Sequence, residues 1–128
     1  MTTSSFSATA RPPRILTHAH RQRLERSSDH YLQVCYRKKT AARASEFASY
    51  LGVTPEYLSF IVRQLTGKTP RNFLRAKQLL YAEQLLRVTP LLVEEIALSS
   101  GFGTTGTFYR CFQAKHGMPP GAFREMKK

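Results

Sequence analysis

Apolar residues along this chain recur at one-turn spacing. Tyr31, Leu32, Cys35 and Tyr36 fall on one side of a helix that starts at Ser28 and ends near Arg37, Lys38 and Lys39. Ala44, Phe47, Ala48 and Leu51 mark a second short helix, stopped by Gly52. Thr54-Pro55-Glu56 is a start signal: a hydroxyl for the N-cap, proline for the first turn and a carboxylate beside the positive helix end. That third helix runs to about Thr66 and stops at Gly67. Thr69-Pro70 repeats the signal for a longer helix through Leu74, Leu79, Ala82, Leu85 and Leu86, broken by Arg87 to Pro90. Val93, Ile96 and Ala97 predict another short helix ending at Gly101. A further one spans roughly Thr104 to His116, and Pro119-Pro120 opens a last turn holding Phe123. Period-two alternation is absent almost everywhere, so the predicted class is all-α, with about seven helices.

The chain also matches itself. A shift of 49 residues sets Glu46-Phe47-Ala48 on Glu95-Ile96-Ala97 and Gly52 on Gly101. A shift of 50 sets Leu58 on Phe108, Ile61 on Cys111, Val62 on Phe112, Gly67 on Gly117, Pro70 on Pro120 and Phe73 on Phe123. The register changes because the second copy carries one extra residue in its turn, around Gly103. Two short helices joined by a turn after glycine, the second with a capped start, describe a helix-turn-helix, and the sequence holds it twice.

Each copy has a helix whose outward face follows from 100° per residue. In the first, Leu58, Ile61, Val62 and Leu65 cluster inward, while Glu56, Phe60 and Arg63 point away, flanked by Ser59 and Gln64. In the second, Phe108, Cys111 and Phe112 face in and Gly106, Arg110 and Gln113 face out, with Thr105, Thr107 and Tyr109 on the flanks. Cys111 inherits an apolar position and reads as core filler.

Charge gives these faces a partner. Lys and Arg number 20 against 8 Asp and Glu, a formal net charge of +12 over 128 residues, which points to a polyanion. Residues 1–28 hold Arg11, Arg14, Arg21, Arg23 and Arg26 against Glu25 alone, and are expected to form a disordered basic arm that adds affinity for phosphates. No apolar run approaches the roughly 20 residues needed to span a bilayer, so no membrane partner is expected. Two cysteines are too few for a disulfide scaffold, and His18, His20, His30 and His116 lack metal-site spacing. Gly101-Phe102-Gly103-Thr104-Thr105-Gly106 begins a glycine-rich fingerprint but follows a helix, and there is no nucleophile elbow or P-loop. No catalytic residue, metal or cofactor is expected, and an enzyme is the least favoured class.

The stretches Glu46-Phe47-Ala48-Ser49-Tyr50-Leu51-Gly52, Thr66-Gly67-Lys68-Thr69-Pro70, Phe108-Tyr109-Arg110-Cys111-Phe112 and Gly117-Met118-Pro119-Pro120-Gly121-Ala122-Phe123-Arg124 carry a family likeness. Over about residues 29–126 the chain resembles the AraC/XylS-type DNA-binding domain of bacterial transcription regulators. The resemblance implies two homeodomain-like helix-turn-helix subdomains, about 29–68 and 89–126, joined by a linker helix over about 69–88. It also implies a cytoplasmic DNA-bound regulator, an activator by type, with RNA polymerase as a candidate partner. With about 28 residues before the domain, a stand-alone regulator controlled by its abundance or by a partner is expected. The interhelical segment Arg71–Arg87, roughly 26 Å long as a helix, suits two reading helices about a groove repeat apart, so one monomer would occupy one site. Phe60 stands where the family commonly has Arg, Gln78 where Arg is usual in the linker, and Leu92 where Ser or Thr often caps. Gly106 and Thr107 are small for a recognition helix.

The base-facing candidates are Glu56, Ser59, Phe60, Arg63, Thr105, Gly106, Thr107 and Arg110. Arg110 is the foremost, since Arg makes the commonest bidentate contact to guanine. Arg63 suits phosphate as well as base; Phe60 suits a thymine methyl or a protein surface. Phosphate candidates are Thr54, Lys68, Arg71, Arg75, Gln113 and Lys115. The leading expectation is a sequence-specific regulator. A non-specific or architectural nucleic-acid binder is the first alternative, and a module contacting the transcription machinery through Phe60 and Tyr109 the second.

Overall fold

The computed structural model describes residues 16–126. Seven helices and no strand occur among the described residues: α1 His18–Lys38, α2 Ala44–Leu51, α3 Pro55–Thr66, α4 Pro70–Val88, α5 Val93–Ser99, α6 Thr105–His116 and α7 Pro120–Met126. The all-α expectation holds, and most boundaries fall where caps and glycines place them.

Helix α1 is the exception and corrects the expected arm. Residues 1–15 of that arm lie outside the described residues, but from His18 the chain is helical, ten residues ahead of Ser28. Thr17 and His20 start it reciprocally: the His20 ring Nδ1 accepts the Thr17 N–H at 3.0 Å, and the Thr17 hydroxyl accepts the His20 N–H at 3.4 Å. Leu24 and Ser28 are buried, one turn apart and in phase with Tyr31, Leu32 and Cys35. The Ser28 hydroxyl is satisfied by the Glu25 carbonyl at 2.8 Å. A single leucine among arginines is a faint periodic signal, and for that reason the segment reads as a tail.

The chain divides into two compact units. Among the described residues, one takes residues 16–33 with Arg43–Leu74; the other takes Val34–Ala42 with residues 75–126. This departs from the linear subdomains expected, because the end of α1 and the loop after it belong with the second half.

In the first unit, Leu24, Leu32, Phe47, Leu58, Ile61 and Val62 are fully buried. Tyr31 stacks on Phe47 with centroids 5.3 Å apart, and its hydroxyl accepts the Arg43 N–H at 3.0 Å. Arg21 on α1 donates to the Leu65 carbonyl in the last turn of α3 at 2.7 Å. That bond places a cation at the negative end of the helix.

The second unit is built on Leu79, Ala82, Leu86, Ile96, Ala97, Phe102, Phe108, Phe112 and Phe123. Phe112 meets Phe108 and Phe123 edge-on at 5.6 and 5.2 Å. Tyr36 stacks on Tyr81 at 4.4 Å, and the Ala42 N–H donates to the Gly101 carbonyl at 2.8 Å, which explains why Val34–Ala42 belong here. Gln78 is buried and its amide donates to the Ser100 carbonyl at 2.9 Å, closing the end of α5. The α5–α6 turn holds the extra residue of the repeat, Gly103, at φ 82, where an added Cβ would lie 2.9 Å from that of Ala41. Only glycine fits that corner.

Candidate nucleic-acid interface

Helices α3 and α6 are built to one plan. Each is 12 residues long. Thr54 and Thr104 are their N-caps, accepting the Tyr57 and Thr107 N–H groups, each at 3.1 Å. Gly67 and Gly117 end them in the left-handed region, their N–H groups returning to Arg63 and Gln113 carbonyls. A hydroxyl cap stabilises such a start by about 1 kcal/mol. Because the caps define where each helix begins, they also define which residues turn outward.

On α3 the inward set is Tyr57, Leu58, Ile61 and Val62, with Leu65 half-buried. Tyr57 is an addition to the expected face; burial pushes its phenol above the usual value. Glu56, Phe60 and Arg63 are exposed and Ser59 is half-buried, as the periodicity requires. Phe60 keeps 42% of its surface open.

On α6, Phe108 and Phe112 are fully buried. Cys111 is only half-buried, at the margin of that core. Gly106, Arg110 and Gln113 are exposed, and Thr105 and Thr107 are half-buried beside them. Tyr109 leans on the core, 6.3 Å edge-on from Phe108. The Thr104 hydroxyl donates to that of Thr107 at 3.0 Å, and the Arg110 guanidinium donates to the same Thr107 oxygen at 3.4 Å. A line of hydroxyls thus runs from the helix cap toward the guanidinium. Gly106, one turn before Arg110, adds no side chain to the exposed surface.

The phosphate candidates divide. Thr54, Lys68, Arg71 and Gln113 are exposed, and Arg75 is half-buried. Lys115 is already engaged, its ammonium 2.9 Å from the Glu83 carboxylate, which also takes the His116 ring at 2.6 Å. Burial pushes the Glu83 carboxyl up, but the bonds and charges of Lys115 and His116 outweigh it and hold the group below its ordinary value. Glu83 was unreadable from spacing, since its partners lie a third of a hundred residues further on; so was Arg124, which donates to the Leu86, Leu91 and Thr89 carbonyls at 3.0, 2.7 and 3.0 Å. Leu92 leaves the α5 cap without a side-chain acceptor, and the Glu95 carboxylate takes the Leu92 N–H at 2.9 Å from the other end of the turn. No group of side chains suited to a metal ion occurs among the described residues. No helix among them is long and apolar enough to cross a membrane.

A family model described as a helix-turn-helix domain matches residues 47–126. The HTH-type transcriptional activator RhaR of Klebsiella pneumoniae is 35% identical over 66 residues, 52% of this chain and 24% of that protein. The chain therefore spans about a quarter of the length of that relative. The DNA-binding domain of the global transcriptional factor AdpA, solved with a target DNA, superposes with a TM-score of 0.70 at 22% identity, covering 80% of this chain and 90% of that one. An AraC-type regulator from Chromobacterium violaceum superposes with a TM-score of 0.63 at 20% identity, covering 81% and 94%.

Proposed function

Because the chain belongs to the AraC-type helix-turn-helix family, we propose that it is a sequence-specific DNA-binding transcription regulator, an activator, whose α3 and α6 each enter a major groove. One observation carries this reading. The chain presents the same capped 12-residue helix twice, each with one side buried in an apolar core and the opposite side left open. A major groove admits one α-helix, and the outward side is the one that meets base edges. The net charge of +12 supplies the sequence-independent attraction.

Arg110 is the principal base reader, with guanine O6 and N7 as its acceptors. Thr105 and Thr107 touch phosphates or thymine methyls beside it, and Gly106 allows close backbone approach. On α3, Glu56 accepts from a cytosine amino group, Ser59 and Phe60 contact bases, and Arg63 serves base or phosphate. Thr54, Lys68, Arg71, Arg75 and Gln113 position the backbone, with Lys115 contributing the part of its charge that Glu83 leaves. Two reading helices on one chain call for two half-sites about one helical turn apart, bound by a monomer. RNA polymerase is the partner through which activation would act, in the bacterial cytoplasm, and no covalent chemistry is involved.

The bare Gly106 position favours one alternative, an architectural binder with little sequence preference. Selection from random duplexes, followed by competition with random DNA, separates the two. A regulator gives a ratio of specific to non-specific affinity of about 10³ or more. An architectural protein gives a ratio near one.

A further inference from the structure

Phe60 and Arg110 occupy the same place in the two copies, each the sixth residue of its own 12-residue helix. Both are exposed, on the side opposite the buried apolar residues. An isolated exposed Phe is ordinary on a protein surface. Phe60 differs in its setting: the exposed residues one turn to either side are charged or polar, Glu56 before it and Arg63 and Gln64 after it.

We propose that Phe60 is a specificity-determining residue that reads thymine through its C5 methyl, so that α3 and α6 select unlike half-sites. This rests on the reading of α3 as a groove-entering helix. In the major groove, thymine alone among the bases offers an apolar group. A Phe ring neither donates nor accepts a hydrogen bond, so set against guanine or cytosine it would strip water from polar edges and satisfy nothing. Arg63, three residues on, places a cation where the ring approaches a polyanion, and the net charge of +12 favours nucleic acid over a basic or neutral protein partner. The same position in α6 carries a guanidinium, whose preferred base is guanine. One helix thus selects a methyl and the other a pair of acceptors at corresponding places in the two half-sites.

The test uses the full chain on the site it selects from random duplexes. Each thymine is replaced in turn by deoxyuridine, which removes only the methyl. The expected result is about a fourfold loss of affinity at one thymine in the α3 half-site. Phe60→Ala should bind the thymine site about as weakly and be indifferent to the same replacement, and Phe60→Arg should select guanine there. If no thymine in that half-site is sensitive, or Phe60→Ala remains as sensitive as the parent chain, the proposal is overturned while DNA reading stands. If Phe60→Ala keeps every base preference and loses only activation, the ring belongs to a protein contact and the proposal falls. Failure to select any sequence would remove the regulator reading and this one with it.

Discussion

Glu83 and His116, on α4 and α6, meet with 2.6 Å between carboxylate oxygen and ring nitrogen, and Lys115 closes on the same oxygen at 2.9 Å. The carboxylate is almost wholly buried, so its two donors are what make its charge tolerable there. Burial pushes the carboxyl's pKa up, but those donors outweigh it and hold it below the ordinary value of 4.5. A depressed carboxylate contributes stability that is fully present above the unfolded value and is lost as pH falls through the folded one. Glu83→Gln should therefore destabilise the fold by about 1–2 kcal/mol at neutral pH, where two charge-assisted bonds are weakened and one donor is part-exposed. The difference from the parent chain should shrink below pH 4.5 as the parent's own carboxyl protonates. Urea denaturation of both chains across that range measures it; a difference that does not change with pH contradicts the charge argument.

Arg124 ties α7 to the break between α4 and α5 by three carbonyl acceptors, Leu86, Thr89 and Leu91. A guanidinium reaches all three because its donors fan out in a plane; an ammonium on a single stem does not. Arg124→Lys should lose about 1–3 kcal/mol of stability, since carbonyls ordered for the fork are left without a donor. Thermal denaturation reads this directly. A melting temperature equal to the parent's would show those carbonyls to be solvated already.

Gly103 makes a separate stability prediction. Alanine there must accept φ 82 and a Cβ 2.9 Å from that of Ala41. Gly103→Ala should cost about 1–3 kcal/mol, from the left-handed backbone and from the displacement of the Ala41 loop. Gly106→Ala is the control: its Cβ meets nothing nearer than the Arg110 guanidinium at 3.6 Å, and the change should be neutral or slightly stabilising. Equal losses at both positions would contradict the steric account.

Arg110→Ala tests base reading. On the preferred site it should cost about 1–3 kcal/mol and relax selectivity at one base pair. Uniform weakening on every sequence would make Arg110 a phosphate contact. If about six phosphates are neutralised by the whole chain, log K should fall against log salt with a slope near −5, and a flat response would remove the electrostatic basis.

Much of this architecture was legible in the residues. Thr54-Pro55 and Gly67 delimit α3 because capping and the left-handed glycine corner are local chemistry, written within four residues of the helix end. The outward set Glu56, Phe60, Arg63 and Arg110 follows from helical periodicity, and the structure leaves all four exposed. Contacts between distant segments were not legible in that way. Nothing in the neighbourhood of Lys115 foretells that Glu83 shares its charge, and Gln78 gives no hint that it closes α5. The start of α1 was hidden for a different reason: Leu24 is one apolar residue in a basic stretch, and its burial depends on the packed unit rather than on a local pattern.

The central claim is that α3 and α6 both read DNA. Hydroxyl-radical footprinting of the full chain on its selected site tests it most directly. Two protected patches, centred about one helical turn apart and altered separately by Arg63→Ala and Arg110→Ala, are the predicted result. A single short patch, changed by Arg110→Ala and indifferent to every outward substitution on α3, would contradict it.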